Sequence, residues 1–258
     1  MDLNLKGKRA LVCGSSQGIG LAAAQELAQL GAEVTLFARN RKSLVEAMAT
    51  LTTAEGQNHQ VLTADFFDTE AVRSAVAEDR EYHILVNNTG GPPGGKAIEA
   101  QTREYQQAFT SHLLNNQIIS AALVPFMKSA GYGRIINIIS TSVKSPIMSL
   151  GVSNTIRGAV NSWAKTIASE LGPFGITVNN VLPGATKTAR LDAIINNKSA
   201  KSGLDIAVVE QAMIDEIPVR RFAEVDEVGA AVAFLASPAA AYINGVNLPV
   251  DGGRTNCF

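Results

Sequence analysis

Short apolar runs alternate with longer amphipathic stretches along almost the whole chain. The runs fall at Arg9 to Val12, Glu33 to Phe37, Gln60 to Leu62, Ile84 to Val86, Arg134 to Ile139, Thr177 to Val181 and Val246 to Val250. In most of them the apolar residues are consecutive, as in strands buried on both faces of a sheet. Between them, Ile19 to Leu30, Ala71 to Ala77, Tyr105 to Lys128, Ser153 to Leu171 and Asp226 to Ala236 space their apolar residues as helices do. Strand, helix, strand repeated in this way predicts an α/β fold: a doubly wound parallel sheet of about seven strands with helices on both faces. From Pro183 to about Pro218 the alternation lapses, and only Leu191 to Ile195 and Ile206 to Ile214 keep a helical spacing. Residues 185–217 read as a substrate lid over a cleft, or as a surface helical pair. No linker divides the chain, so residues 1–258 are expected to form a single domain.

Composition narrows the function classes. A hydrophobic share of 46% supports a sizeable core, and 22 basic against 23 acidic residues leave a net charge of -1. Nothing in that balance draws nucleic acid or an anionic membrane. No apolar stretch reaches the ~18 residues of a membrane span, and Met1 to Lys8 lacks a signal-peptide core, so a soluble cytoplasmic protein is expected. Cys13 and Cys257 lie at opposite ends, and His59, His83 and His112 are scattered, which supports neither a disulfide framework nor a metal site.

The first strand runs straight into Gly14-Ser15-Ser16-Gln17-Gly18-Ile19-Gly20, which opens the first helix. Glycines there let the backbone approach a pyrophosphate, and the helix N-terminus supplies amides and a favourable dipole. The turn resembles the T-G-x-x-x-G-I-G motif of the classical short-chain dehydrogenases/reductases, with Cys13 in the threonine position. Asn87-Asn88-Thr89-Gly90 is similar to the family's N-N-A-G, and Pro183-Gly184 with Thr188 to its P-G-x-x-x-T. Arg221-Phe222, Phe234 to Ser237 and Val250 to Gly253 resemble the tail of bacterial 3-oxoacyl-carrier-protein reductases. The resemblance implies a Rossmann-type fold and a nicotinamide cofactor held by Gly14, Ser16, Gln17, Gly18, Ile19 and Gly20. It also implies an oxidoreductase acting on a small carbonyl or alcohol, and a homotetramer or homodimer built on the two long helices.

After the second strand, NAD-preferring relatives carry an acid; here Ala38 stands there, followed by Arg39 and Asn40. An arginine fork suits a 2'-phosphate, which makes NADP(H) the expected cofactor in preference to NAD(H). By the same resemblance Asp65 meets the adenine, Asn88 and Gly90 line the adenosine side, and Pro183, Gly184 and Thr188 lie by the nicotinamide. Arg41 and Lys42 extend the basic run into what reads as a surface loop.

The family's proton-transfer residues are a different matter. Its tetrad is asparagine, serine, tyrosine and lysine; aligned on Gly133-Arg134-Ile135, the four positions hold His112, Ser140, Ser153 and Arg157. Serine is far too weak an acid to replace a phenol, and arginine keeps the positive charge while ending proton relay through that group. His112, with an ordinary imidazole pKa of ~6.5, and Lys144 are candidates for supplying the proton. Tyr82, Tyr105, Tyr132 and Tyr242 fall outside the cleft and read as packed side chains with bonded hydroxyls. Two readings stay open: an oxidoreductase with altered proton transfer, and a non-catalytic nucleotide-binding or scaffold protein. Gly90 to Lys96, with two prolines and four glycines, either cradles an anionic substrate tail on its amides with help from Lys96 or only turns the chain. No dense arginine cluster appears along the lid.

Overall fold

A computed structural model describes residues 1–78 and 81–256, which leaves Cys257 outside the described residues. All seven expected strands form: β1 (Arg9–Cys13), β2 (Glu33–Ala38), β3 (Gln60–Thr63), β4 (Ile84–Asn87), β5 (Gly133–Ile138), β6 (Ile176–Pro183) and β7 (Asn247–Val250). They pair in the order β3-β2-β1-β4-β5-β6-β7, every pair parallel. The chain winds outward from β1 to β3, then returns to lay β4 on the other side of β1. A crevice opens at that reversal, beyond the carboxyl ends of the strands.

Alternate residues of each strand serve opposite layers. Ala10, Val12, Val34 and Leu36 pack under α1 (Gly18–Gln29), α2 (Arg41–Met48) and α9 (Val225–Ala236). Leu11, Phe37, Leu85 and Ile135 pack under α3 (Thr69–Glu78), α5 (Asn115–Ala130) and α6 (Gly151–Leu171). The two stretches of helical spacing after Pro183 form the helical pair α7 (Ala189–Ser202) and α8 (Ile206–Asp215), joined by Leu191, Ile195, Val209, Met213, Ile217 and Phe222 into a small core of their own.

Two other expectations need correction. Arg41 and Lys42 do not lie in a loop; they open α2, whose N-terminus is capped by Asn40 Oδ1 accepting from the Ser43 amide at 3.2 Å. Only Leu44 and Ala47 of that helix are buried, too few to show a period in eight residues. The stretch Tyr105 to Lys128 is not one helix: α4 (Thr102–Phe109) and α5 are joined by a π-helical turn over Thr110–Leu114. Such a turn inserts one residue, rotating the face that follows, and here it carries Ser111 and His112 inward.

A row of asparagines crosses one half of the sheet, from the last residue of β4 to the first of β7. Asn87 Nδ2 donates to Asn137 Oδ1 at 2.9 Å, Asn137 Nδ2 to Asn180 Oδ1 at 2.9 Å, and Asn180 Nδ2 to both Asn247 Oδ1 and Asn161 Oδ1. Asn87, Asn137, Asn180 and Asn247 share one register across β4, β5, β6 and β7, and Asn161 joins them from α6. The ladder satisfies most of the amides that burial would otherwise penalise, Asn87 Oδ1 excepted, and locks β4, β5, β6 and β7 together.

Candidate active site at the switch point

The glycine turn sits where the order reverses. Gly14 and Gly18 both have φ +59, a backbone that L side chains rarely adopt. A Cβ on Gly20 would lie 2.2 Å from the Gly14 carbonyl oxygen, so this position fixes how closely α1 docks on β1. Asn88 ties the turn to β4, its Nδ2 donating to Gly14 O at 3.1 Å. Ser15 Oγ is turned inward and accepts from the Phe37 amide, whereas Ser16 is half-buried and Gln17 exposed.

The helix ends differ in a telling way. Asn40, Thr188 and Asp205 each cap the helix they precede with a side-chain oxygen, and Glu224 and Glu227 form a reciprocal box at the start of α9. At α1 the N-cap is Gln17, which makes no side-chain cap, and the first turn holds no acidic residue. Its amides therefore stay available at the crevice with the helix dipole behind them, and a pyrophosphate fits there. Arg39 follows β2, with its side chain 74% exposed, and comes within 3.8 Å of Asp65 Oδ2 at the end of β3. So open an ion pair contributes little to stability, and the guanidinium is free to turn to a stronger anion. Cys13 is buried, and burial pushes its thiol far above the ordinary range, so it packs and does not react.

Across the crevice, Ser140 follows β5 and starts a 3-10 turn, its Oγ accepting from the Ser142 amide at 3.1 Å. Ser153 and Arg157 stand one helical turn apart on α6, both buried. Arg157 Nη1 donates to Ile138 O at 2.8 Å, which pins the guanidinium beneath the end of β5. Burial first, and the Arg190 charge second, bring Arg157 down to about 10, still a cation at neutral pH. His112 points in from the π turn. Its Nδ1 meets Thr89 Oγ1 at 2.5 Å, while its Nε2 is buried without a partner. Burial, then Arg157 and Arg190, hold its pKa well below the ordinary imidazole value. The ordinary value expected from the sequence therefore does not apply, and these surroundings favour the neutral ring.

A family model described as "Enoyl-(Acyl carrier protein) reductase" matches residues 14–255. The chain belongs to the short-chain dehydrogenase/reductase family. It is 31% identical to the gluconate 5-dehydrogenase of Gluconobacter oxydans (strain 621H), covering 98% of this chain and 96% of that protein. It is 32% identical to the 3-oxoacyl-[acyl-carrier-protein] reductase FabG of Pseudomonas aeruginosa, covering 97% of this chain and 98% of that one. The crystal structure of L-sorbose reductase from Gluconobacter frateurii, complexed with NADPH and L-sorbose, superposes with a TM-score of 0.93 at 31% identity over the full length of both chains.

In this short-chain dehydrogenase/reductase three tyrosine hydroxyls among the described residues are already engaged by other groups. Tyr82 donates to Thr35 Oγ1, Tyr105 to Ala97 O and Tyr132 to Ala236 O. Tyr242 departs from expectation: it is fully exposed on the surface and is not packed. Thr188 lies across the turn, its methyl 3.4 Å from where a Gly18 side chain would begin, and its hydroxyl caps α7. Pro183 ends β6, and Gly184 leaves no room for a Cβ against Asp251. Gly90 is exposed at the rim.

The glycine-proline segment turns two carbonyls toward the start of α7. Gly91 O and Pro92 O accept from Arg190 Nη1 and Nη2 at 3.0 and 3.2 Å, while Lys96 pairs with Glu99 on the surface. Arg190 went unnoticed in the sequence because it lies far from Arg157 along the chain and sits in the lid's ordinary helix start. Its place two residues after Thr188 was the available signal. A cavity of about 480 Å³ opens on the other face of α7, lined by Thr188, Leu191, Ile195 and Phe222. No helix among the described residues is long and apolar enough to cross a membrane.

Proposed function

We propose that the protein is an NADP(H)-dependent oxidoreductase of 3-oxoacyl reductase-like build that interconverts a carbonyl and an alcohol, with proton transfer altered from the family's usual form. The observation that carries it is the uncapped N-terminus of α1 over the glycine turn, with Arg39 at the neighbouring strand end. Bound NADPH would supply the hydride that a carbonyl carbon accepts, and the carbonyl oxygen would take one proton to give the alcohol. In this reading Gly14, Ser16, Gln17, Gly18, Ile19 and Gly20 bind the pyrophosphate, Arg39 the 2'-phosphate and Asp65 the adenine, while Asn88 and Gly90 line the adenosine. Asn40 is spent as a helix cap, which weakens its expected role at the phosphate. Pro183, Gly184 and Thr188 hold the nicotinamide end, and α7 with α8, within residues 185–217, acts as the lid. Ser140 donates to the substrate oxygen, Ser153 leaves open the space that a phenol would fill, and Arg157 keeps the positive field.

A second reading, nucleotide binding without turnover, is favoured by one observation: every packed tyrosine hydroxyl is engaged elsewhere. Calorimetric titration with NADPH and NADH tests the cofactor. Micromolar NADPH binding, weakened at least about tenfold by Arg39→Ala while NADH binding is unchanged, is expected from loss of a charge-assisted fork. No binding of either nucleotide removes the oxidoreductase reading, and binding with no turnover on any carbonyl leaves the second.

A further inference from the structure

Arg157 and Arg190 come from opposite walls of the crevice, one on the floor helix α6 and the other on the first turn of α7. Each uses part of its guanidinium on backbone carbonyls: Arg157 on Ile138 O, Arg190 on Gly91 O and Pro92 O. These carbonyls orient the forks without neutralising them. Among the described residues neither arginine has a carboxylate partner, whereas Arg39, Lys96, Lys187 and Arg221 all do. The charges of Arg157 and Arg190 both act on the buried His112, whose Nε2 has no partner among the described residues. Arg157 is buried while Arg190 is exposed at the crevice mouth, so a buried cation faces a second positive charge, and an anion arriving between them offsets that cost.

The nucleotide's phosphates do not meet this need, because the glycine turn and Arg39 receive them elsewhere in the crevice. We propose that Arg190, with Arg157 behind it, binds the carboxylate of an anionic substrate, so that the reacting carbon belongs to a hydroxy or oxo acid. The two coplanar oxygens of a carboxylate match the edge of a guanidinium fork. Arg190 also links substrate to lid: its bonds to Gly91 and Pro92 join α7 to the loop after β4, and an anion beneath it strengthens that closure. The proposal rests on the oxidoreductase reading, and its test separates the two.

Protein saturated with NADP⁺ is titrated calorimetrically with gluconate, 2-oxo and 3-hydroxy carboxylates, the matching neutral alcohols or amides, and sugar phosphates. The expected result is that at least one carboxylate binds ten or more times tighter than its neutral counterpart. Arg190→Gln is expected to reduce that preference to about twofold or less while NADP⁺ still binds. Equal binding of acid and neutral compound, a preference for the phosphates, or no carboxylate binding at millimolar concentration each overturns the proposal. Should Arg190→Gln fail to fold, the acid-to-neutral ratio of the unaltered protein still decides. Failure of NADP⁺ itself to bind counts against the oxidoreductase reading, and the acid-to-neutral titration of nucleotide-free protein then decides the carboxylate site separately.

Discussion

His112 shows how far the surroundings of a residue outweigh its identity. An imidazole on its own titrates in the range where a proton donor is useful, but here burial and two guanidinium charges all act against the cation. Protonation would place a third charge beside Arg157 and Arg190 with no carboxylate to receive it. The ring therefore serves as a neutral hydrogen-bonding group, and Thr89 fixes its orientation. A proton NMR titration checks this: the ring resonances of His112, assigned by their loss in His112→Gln, are expected to show no midpoint between pH 5.5 and 8. A midpoint near the ordinary ~6.5 would mean that the two arginines do not press on the ring.

At the scale of elements, the asparagine ladder makes the clearest demand. Asn137 is its centre, giving a hydrogen to Asn180 and receiving one from Asn87 across three strands. Asn137→Ala leaves a donor and an acceptor buried without partners, a loss of about 2–4 kcal/mol. A fall in the urea midpoint with an unchanged m-value is the expected readout, and a change below about 0.5 kcal/mol would show that water fills the gap. The strands themselves were legible because buried parallel strands are written as uninterrupted apolar runs. The long helices were legible for the same reason, except where one extra residue at Thr110–Leu114 broke the period. No residue type marks a π turn, so that break was invisible. The glycine turn could be read in sequence because its backbone geometry demands glycine. Arg190 could not, since its role depends on where α7 lands over the loop after β4. Short α2 was lost because two buried residues do not make a pattern.

The whole molecule carries its acid sensitivity away from the crevice as well as in it. His83 lies at the opposite end of the sheet, its Nδ1 accepting from the Arg9 amide at 3.2 Å and its ring edge-on to Phe126 at 5.0 Å. Lys8 and Arg134 flank the Tyr132 ring beside it, at 4.2 and 4.1 Å. Burial, then Lys8 and Arg9, lower its pKa to about 4. Protonation would also forfeit the bond that Nδ1 accepts. In the unfolded chain the same ring titrates near ~6.5, so between that pH and about 4 the unfolded state binds more protons and is favoured. His112, also lowered, adds to the loss with the same sign. Glu26 opposes it: burial and Asp226 raise its pKa, so the folded state gains there as pH falls. Glu227, held at about 2 by Arg221, loses its contribution only from the unfolded carboxyl's ~4.5 downward, with the same sign as the histidines and at the lower edge of the window. Two histidines against one carboxyl leave a net loss, and the urea midpoint is expected to decline steadily from pH 7 to 4.5. His83→Asn, which keeps an acceptor for the Arg9 amide but cannot take a proton, is expected to flatten the decline. An unchanged slope in that variant would assign the acid sensitivity to the crevice alone.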